Sequence, residues 1–189
     1  ISPAAITVSA SDTVKTYDAT TSVSGATTAP TPVLISGTLY TNTGVQDSLA
    51  GGTYVYTDPN AGSGNKTVTV SGVTIANSAT GNAAATANYT ITYIDNTTST
   101  INPAAITING AATYNGTNTT GNLTATGVGG QTLVISGGSA TMSSANAGTN
   151  AITGLTGGTI TAGGSNPGNP ANYTIVGPAF GSVVVSPAA

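Results

Sequence analysis

Seven side chains in this chain of 189 residues carry formal charge: Lys15, Lys66, Asp12, Asp18, Asp47, Asp58 and Asp95. Histidine and cysteine are absent, and with them go Ser-His-Asp triads, thiolate nucleophiles and the usual transition-metal ligands. A Ser-Lys dyad would need Lys15 or Lys66, but no flanking pattern supports one, and both read as solvated surface lysines. Asp12 with Asp18, or Asp47 with Asp58, could form a carboxylate pair for acid-base work. Each reads more simply as an exposed loop aspartate. Calcium could meet Asp58 and Asn60 in "YTDPNAG", but the ion takes about six to eight oxygens with several carboxylates, and no D-x-D-x-D loop is present. Asp58-Pro59-Asn60 is therefore expected to be a plain turn. A Lys-Asn amide crosslink from Lys15 or Lys66 would need a carboxylic acid to relay protons. The sequence predicts no catalytic residue, no cofactor-binding residue and no metal ligand.

Surface chemistry is equally restricted. Two lysines cannot neutralise a phosphate backbone, so nucleic acid is not an expected partner. All seven charges precede residue 101. The rest must stay in solution through Asn, Ser, Thr and Gly, through attached sugar, or by packing in an assembly. Asn-x-Thr sequons stand at Asn65, Asn88, Asn96, Asn115, Asn118, Asn122 and Asn172, and the cluster Asn115, Asn118 and Asn122 suits a glycosylated loop best. Of the eight tyrosines, Tyr17, Tyr89, Tyr114 and Tyr173 recur in similar phrases and read as structural. Tyr40, Tyr54, Tyr56 and Tyr93 are the candidates for a glycan-binding face. Apolar runs such as Val183-Val184-Val185 fall far short of the ~20 residues that span a bilayer, so no membrane insertion is expected. The chain opens on Ile1, and any targeting segment is expected to lie outside this stretch or to have been removed.

The elements that position these residues read as strands. Ile6, Val8 and Ala10 alternate with Thr7 and Ser9, and Tyr89, Ile91 and Tyr93 with Thr90 and Thr92, as in strands with one buried face. Ala83 to Ala87 reads as a loop. In "KTVTVSGVTI" the apolar parity changes from Val68 and Val70 to Val73 and Ile75, which favours a bulge or bend at Ser71-Gly72 over a tight turn between two strands.

Self-similarity organises the whole. "ISPAAIT" at 1–7 returns as "INPAAIT" at 101–107, and "VSPAA" closes the chain at 185–189. Between them "VLISG" at 33–37 matches "LVISG" at 133–137, "NAG" at 60–62 matches 146–148, and "ANYTI" at 87–91 matches 171–175. The fold class expected is all-β, with two β-sandwich repeats in tandem over residues 5–101 and 105–185. Residues 1–4 and 186–189 read as linker ends of neighbouring repeats, and Asn102-Pro103-Ala104-Ala105 as a short, stiff linker.

"KTYDATT" at 15–21, "YTDPNAGSGNKTVTVSG" at 56–72 and "ANYTITY" at 87–93 resemble the YDG and MBG-type repeats of filamentous-haemagglutinin-like bacterial adhesins. The resemblance implies Ig-like β-sandwiches in tandem, forming the stalk of an extracellular fibre at the bacterial cell surface, without catalysis. Neighbouring copies of the repeat are the implied partners, with host or surface glycans a further possibility. Two other readings stand beside it: a self-assembling filament subunit held by β-strand complementation, and a carbohydrate-binding module. The family's Tyr-Asp-Gly appears as Tyr17-Asp18-Ala19 and Tyr114-Asn115-Gly116. Because Ala19 resists positive φ, the two copies are expected to use different turns, with Tyr17 and Tyr114 packed inward. The second copy has no charged match for Asp58 or Lys66.

Overall fold

The computed structural model describes residues 1–42, 44–77, 83–175 and 180–189. Among them are strands and short 3₁₀ turns, and no α-helix. The chain divides into two compact units, the first Ile1–Thr16 with Thr20–Asn102 and the second Tyr17–Ala19 with Pro103–Ala189.

The first unit contains β1 (Ala4–Ala10), β2 (Val14–Thr16), β3 (Pro32–Ser36), β4 (Thr41–Asn42), β5 (Val45–Gln46), β6 (Ser48–Tyr56), β7 (Gly62–Ala76), β8 (Tyr89–Tyr93) and β9 (Asn96–Asn102). They form a sheet ordered β3-β1-β8, a second ordered β2-β9-β7-β6, and the small ribbon β4-β5. Ile6 and Val8 of one sheet and Val68, Val70 and Ile101 of the other are buried, and β1 touches β7. The alternation seen in the sequence thus supplies the core.

The second unit contains β10 (Ala104–Ala105), β11 (Thr107–Thr113), β12 (Thr119–Thr120), β13 (Leu123–Thr126), β14 (Thr132–Ser136), β15 (Ser139–Met142), β16 (Gly148–Thr156), β17 (Thr159–Ala162), β18 (Tyr173–Thr174) and β19 (Phe180–Ser186). Strand β11 runs antiparallel to β13 and parallel to β19, so the strands from β11 to β17, with β19, join in one order, β12-β15-β16-β19-β11-β13-β14-β17. The first unit breaks the same path into β1 and β2, with Ser11–Thr13 between them.

Pairings repeat between the units. Ala4 and Ala5 face Tyr89 and Thr90 in a parallel ladder, as Ala104 and Ala105 face Tyr173 and Thr174. These alanines therefore belong to the sheets, not to a linker. Proline lacks the N–H a ladder needs, so Pro3 and Pro103 stand just outside, while the alanines supply donors and little bulk. Thr16 faces Asn102 in β2–β9 as Thr113 faces Ser186 in β11–β19.

The parity change in β7 is a bend within one continuous strand. Leu49 faces Ile75 and Tyr56 faces Val68 in an unbroken register. Gly51, Gly52 and Gly72 take φ of 64°, 108° and 64° at the crossing. Both strands carry an extra residue there, so the inward side changes on each without a slip between them. The second unit does the same: Ser136 faces Thr159 on one side and Ser139 faces Thr156 on the other. Gly137, Gly157 and Gly158 take positive φ between them. Here β14 pairs with β13 and β16 with β19, so the bend carries the hairpin from one stretch of sheet to the other.

This register corrects one sequence match. Leu34 of "VLISG" faces Val8, and the corresponding partner of Ile108 is Ala125 of "LTATG" at 123–127. "LVISG" at 133–137 lies in β14, which pairs with β13 and β17. The true counterpart of its end, "ISGGS" at 135–139, is "LAGGT" at 49–53. An apolar triplet followed by Ser-Gly suits any strand that ends in a bend, so the phrase recurs without common position. Ala83–Ala87, expected as a loop, lies within 3₁₀ turns over Ala83–Asn88. Thr86 ties them to β7, its Oγ1 accepting from the Ile75 amide at 2.8 Å.

Candidate functional site

Lys15 sits between the half-buried Val14 and the exposed Thr16 of β2, and the pleat turns it inward. It is 1% exposed, which overturns the surface reading. Its Nζ donates to the carbonyls of Thr20 and Ser22, each at 2.8 Å, and lies 5.5 Å from the centre of the Tyr56 ring. The lysine therefore ties the loop after β2 onto the core. The Tyr56 hydroxyl stands 2.8 Å from the Thr13 carbonyl and 2.9 Å from that of Thr100, and the Thr13 amide donates to Ser99 Oγ at 3.0 Å. Burial pushes the Tyr56 phenol up to about 12. These bonds fasten the insertion Ser11–Thr13 that separates β1 from β2.

Lys66 is also buried, and it pairs with Asp58. Asp58 accepts from the Asn60 amide at 3.0 Å, making the expected turn. The Lys66 ammonium, followed by that amide, holds the Asp58 carboxyl below its ordinary range. Asp47, read as an exposed loop residue, is buried. It accepts from Tyr89 OH at 2.8 Å and from Asn77 Nδ2 at 2.6 Å. Tyr89 OH in turn accepts the Tyr40 amide at 2.9 Å, and burial raises the Tyr89 phenol. Asp47 and Asp58 thus have separate structural partners. Asp12 is exposed and accepts from Thr98 Oγ1 at 2.6 Å and Asn96 Nδ2 at 2.9 Å, bonds that lower its carboxyl. Asp18 is half-buried and Asp95 exposed. Among the described residues no three His, Cys, Asp or Glu side chains gather where a metal could bind.

The second unit holds the same positions with neutral residues. Lys15 faces Ile101 as Ala112 faces Val185. Tyr56 faces Val68 as Met142 faces Ile152, and Lys66 faces Ser99 as Asn150 faces Val183. Asp58, two residues after Tyr56, corresponds to Ser144, whose Oγ accepts the Asn146 amide at 3.1 Å. Tyr173 OH accepts the Val128 amide at 3.0 Å and donates to Gln131 Oε1, so an amide stands where Tyr89 meets a carboxylate.

The tyrosine turns differ from expectation in two respects. Ala19 takes φ of 63° and Gly116 takes 78°, so both copies use the left-handed conformation at the third position. Alanine pays about 1 kcal/mol or more for it. Tyr17 is buried as expected, whereas Tyr114 is 44% exposed. Within the second unit the Tyr17 ring stands edge-on to Tyr173, centroids 5.4 Å apart, and its hydroxyl accepts from Gln131 Nε2 at 3.3 Å. Of the four tyrosines considered for glycans, Tyr56 is buried and only Tyr40 is largely exposed. Tyr54 OH donates to the Gly51 carbonyl and Tyr93 OH accepts the Val73 amide. The loop sequons Asn115, Asn118 and Asn122 are exposed, and Asn172 is buried.

These observations define an all-β protein whose few ionic groups secure loops to strands. The chain belongs to the YDG domain family, which matches it over residues 2–100. No curated protein and no solved structure matches it.

Proposed function

We propose that the chain is a non-catalytic spacer from the stalk of an extracellular bacterial adhesin, built of two Ig-like β-sandwich repeats in tandem. The observation that carries this reading is the repeated ladder: Ala4–Tyr89 and Lys15–Ile101 in one half, Ala104–Tyr173 and Ala112–Val185 in the other. Further support comes from Lys15, Lys66, Asp47 and Asp58, which bond to groups of the first unit, and from the YDG family match. Among the described residues no helix is long and apolar enough to cross a membrane. The partners are further copies of the repeat.

Pulling single molecules from their two ends tests the proposal. Two separate unfolding steps are expected, each releasing roughly 300 Å at about 3.5 Å per residue. One step releasing the combined length would refute independent repeats.

A further inference from the structure

The chain contains two Asn-Gly pairs, Asn109-Gly110 and Asn115-Gly116. An asparagine before glycine can close on itself: the following amide nitrogen, unshielded by a Cβ, reaches the side-chain carbonyl carbon. The fold holds the two pairs differently. Gly110 stands in β11 with Leu123 on one side and Val183 on the other, and a Cβ there would meet the Asn122 carbonyl at 2.9 Å. Closing a ring at Asn109 would break both ladders. Gly116 lies outside every strand, takes φ of 78°, and has open space where a Cβ would stand. Thr117 completes the arrangement: its amide at 3.0 Å and its hydroxyl at 2.8 Å both donate to Asn115 Oδ1. That is the oxygen on which negative charge gathers when the carbonyl carbon is attacked. Two other asparagines make similar turns without the glycine. Asn96 Oδ1 accepts from the Thr98 amide at 3.1 Å and from Ser99 Oγ at 2.8 Å, and β-branched Thr97 follows it. Asn169 Oδ1 accepts from the Ala171 amide at 3.1 Å, and Pro170 has no N–H to give up.

We infer that Asn115 is a self-modifying site, where the chain turns an asparagine into a carboxylate without an enzyme. Hydroxide takes the Gly116 N–H proton, and the nitrogen bonds to Asn115 Cγ. Charge moves to Oδ1, between the two Thr117 donors. The Cγ–Nδ2 bond then breaks, and Nδ2 takes a proton from water and departs as ammonia, leaving a cyclic succinimide. Water adds to either ring carbonyl and reopens the ring, giving aspartate or its β-linked isomer. Nothing is oxidised or reduced. The product carries the only formally charged side chain among residues 103–189, at the position Asp18 holds in the other tyrosine turn. It also lacks the Nδ2 that the sequon Asn115-Gly116-Thr117 would offer a sugar.

Isotope-labelled chain kept at mildly alkaline pH and followed by NMR tests this. The Asn115 side-chain amide signals should disappear first, with those of Asn109, Asn96 and Asn169 persisting at least roughly tenfold longer for want of the free glycine amide. Isoelectric focusing should show one added negative charge, matching an Asn115→Asp reference. Thr117→Val removes the hydroxyl donor and should slow the loss several-fold, less than the ~100-fold such a donor supplies where water is excluded, because this turn is exposed. Thr117→Ser keeps the hydroxyl and should retain the native rate. Gly116→Ala, tolerable because Ala19 holds the same left-handed position, should slow the loss further. Each variant's spectrum reports its own fold. Equal persistence of Asn115 and Asn109, earlier loss at Asn109, or a rate indifferent to Thr117→Val overturns the inference. The reaction is local to residues 115–117, so neither result bears on the spacer reading.

Discussion

The first unit has Lys15, Tyr56, Asp58 and Lys66 where the second has Ala112, Met142, Ser144 and Asn150. The ladders around these positions are nevertheless alike. Strand pairing and apolar alternation therefore suffice for the fold, and the charged set answers local needs of the first unit. Tyr56 illustrates this. Its hydroxyl reaches Thr13, which lies in the insertion between β1 and β2; the second unit runs straight through in β11 and has a thioether there instead. The turn at Asp58 likewise survives as a turn at Ser144, with a hydroxyl oxygen replacing a carboxylate.

Substitutions that remove a charged partner should separate the two units. Lys15→Ala leaves the carbonyls of Thr20 and Ser22 without their donor and opens a cavity under Tyr56, at a cost of about 3 to 5 kcal/mol. Hydrogen exchange should show protection lost in β2, β7 and β9 while β13–β16 stay protected; equal loss in both units would mean that they do not fold independently. Asp58→Ser leaves a buried ammonium unpaired and should cost about 1 to 3 kcal/mol, discounted because Asp58 itself is half exposed. The double variant Asp58→Ser, Lys66→Asn installs the second unit's residues and should recover most of that loss. A double-mutant cycle by urea unfolding that showed simple additivity would contradict the comparison. Tyr56→Phe should cost about 1 to 2 kcal/mol through the freed carbonyls of Thr13 and Thr100.

Acid and base should also act unevenly. Asp58 is held below its ordinary carboxyl range in the fold, so its contribution is present above about pH 4 and disappears as pH falls through the lowered folded value. Tyr56, pushed up to about 12, favours its protonated form in the fold. Its contribution is complete below about pH 10 and is lost as pH rises towards 12. Urea midpoints followed across pH should show the acid-side loss in the first unit, since residues 103–189 contain no Asp or Glu. The smallest effect concerns Ala19. Replacing it with Gly relieves the left-handed backbone but adds freedom to the unfolded chain, for a net gain of roughly 0.5 to 1 kcal/mol.

Much of the fold was legible because alternation, proline and glycine act locally. The strand of Ile6, Val8 and Ala10, the break at Pro103 and the bend at Gly72 each follow from a few neighbouring residues. The false match between "VLISG" and "LVISG" arose because likeness of phrase was taken as likeness of position, whereas position depends on ladder partners a long way off in sequence. The buried lysines were misread by residue type. Lys66 shares the parity of Val68 and Val70, and Lys15 that of Thr13 and Tyr17, so the pleat itself signalled that both point inward. What their ammonium groups would find there depended on Asp58 and on the Thr20–Ser22 loop, which alternation does not reveal. The left-handed Ala19 was missed for a related reason: intrinsic preference opposed it, and tertiary contacts prevailed.

In each unit an opening strand lies parallel to a closing one, β2 beside β9 and β11 beside β19. Tension on the two ends of such a unit drags these neighbours past each other lengthwise. Every cross-strand bond between them resists together, where antiparallel neighbours pulled from one end would peel apart one bond at a time. A ladder of few residues, with no disulfide behind it, is thereby oriented to withstand being stretched.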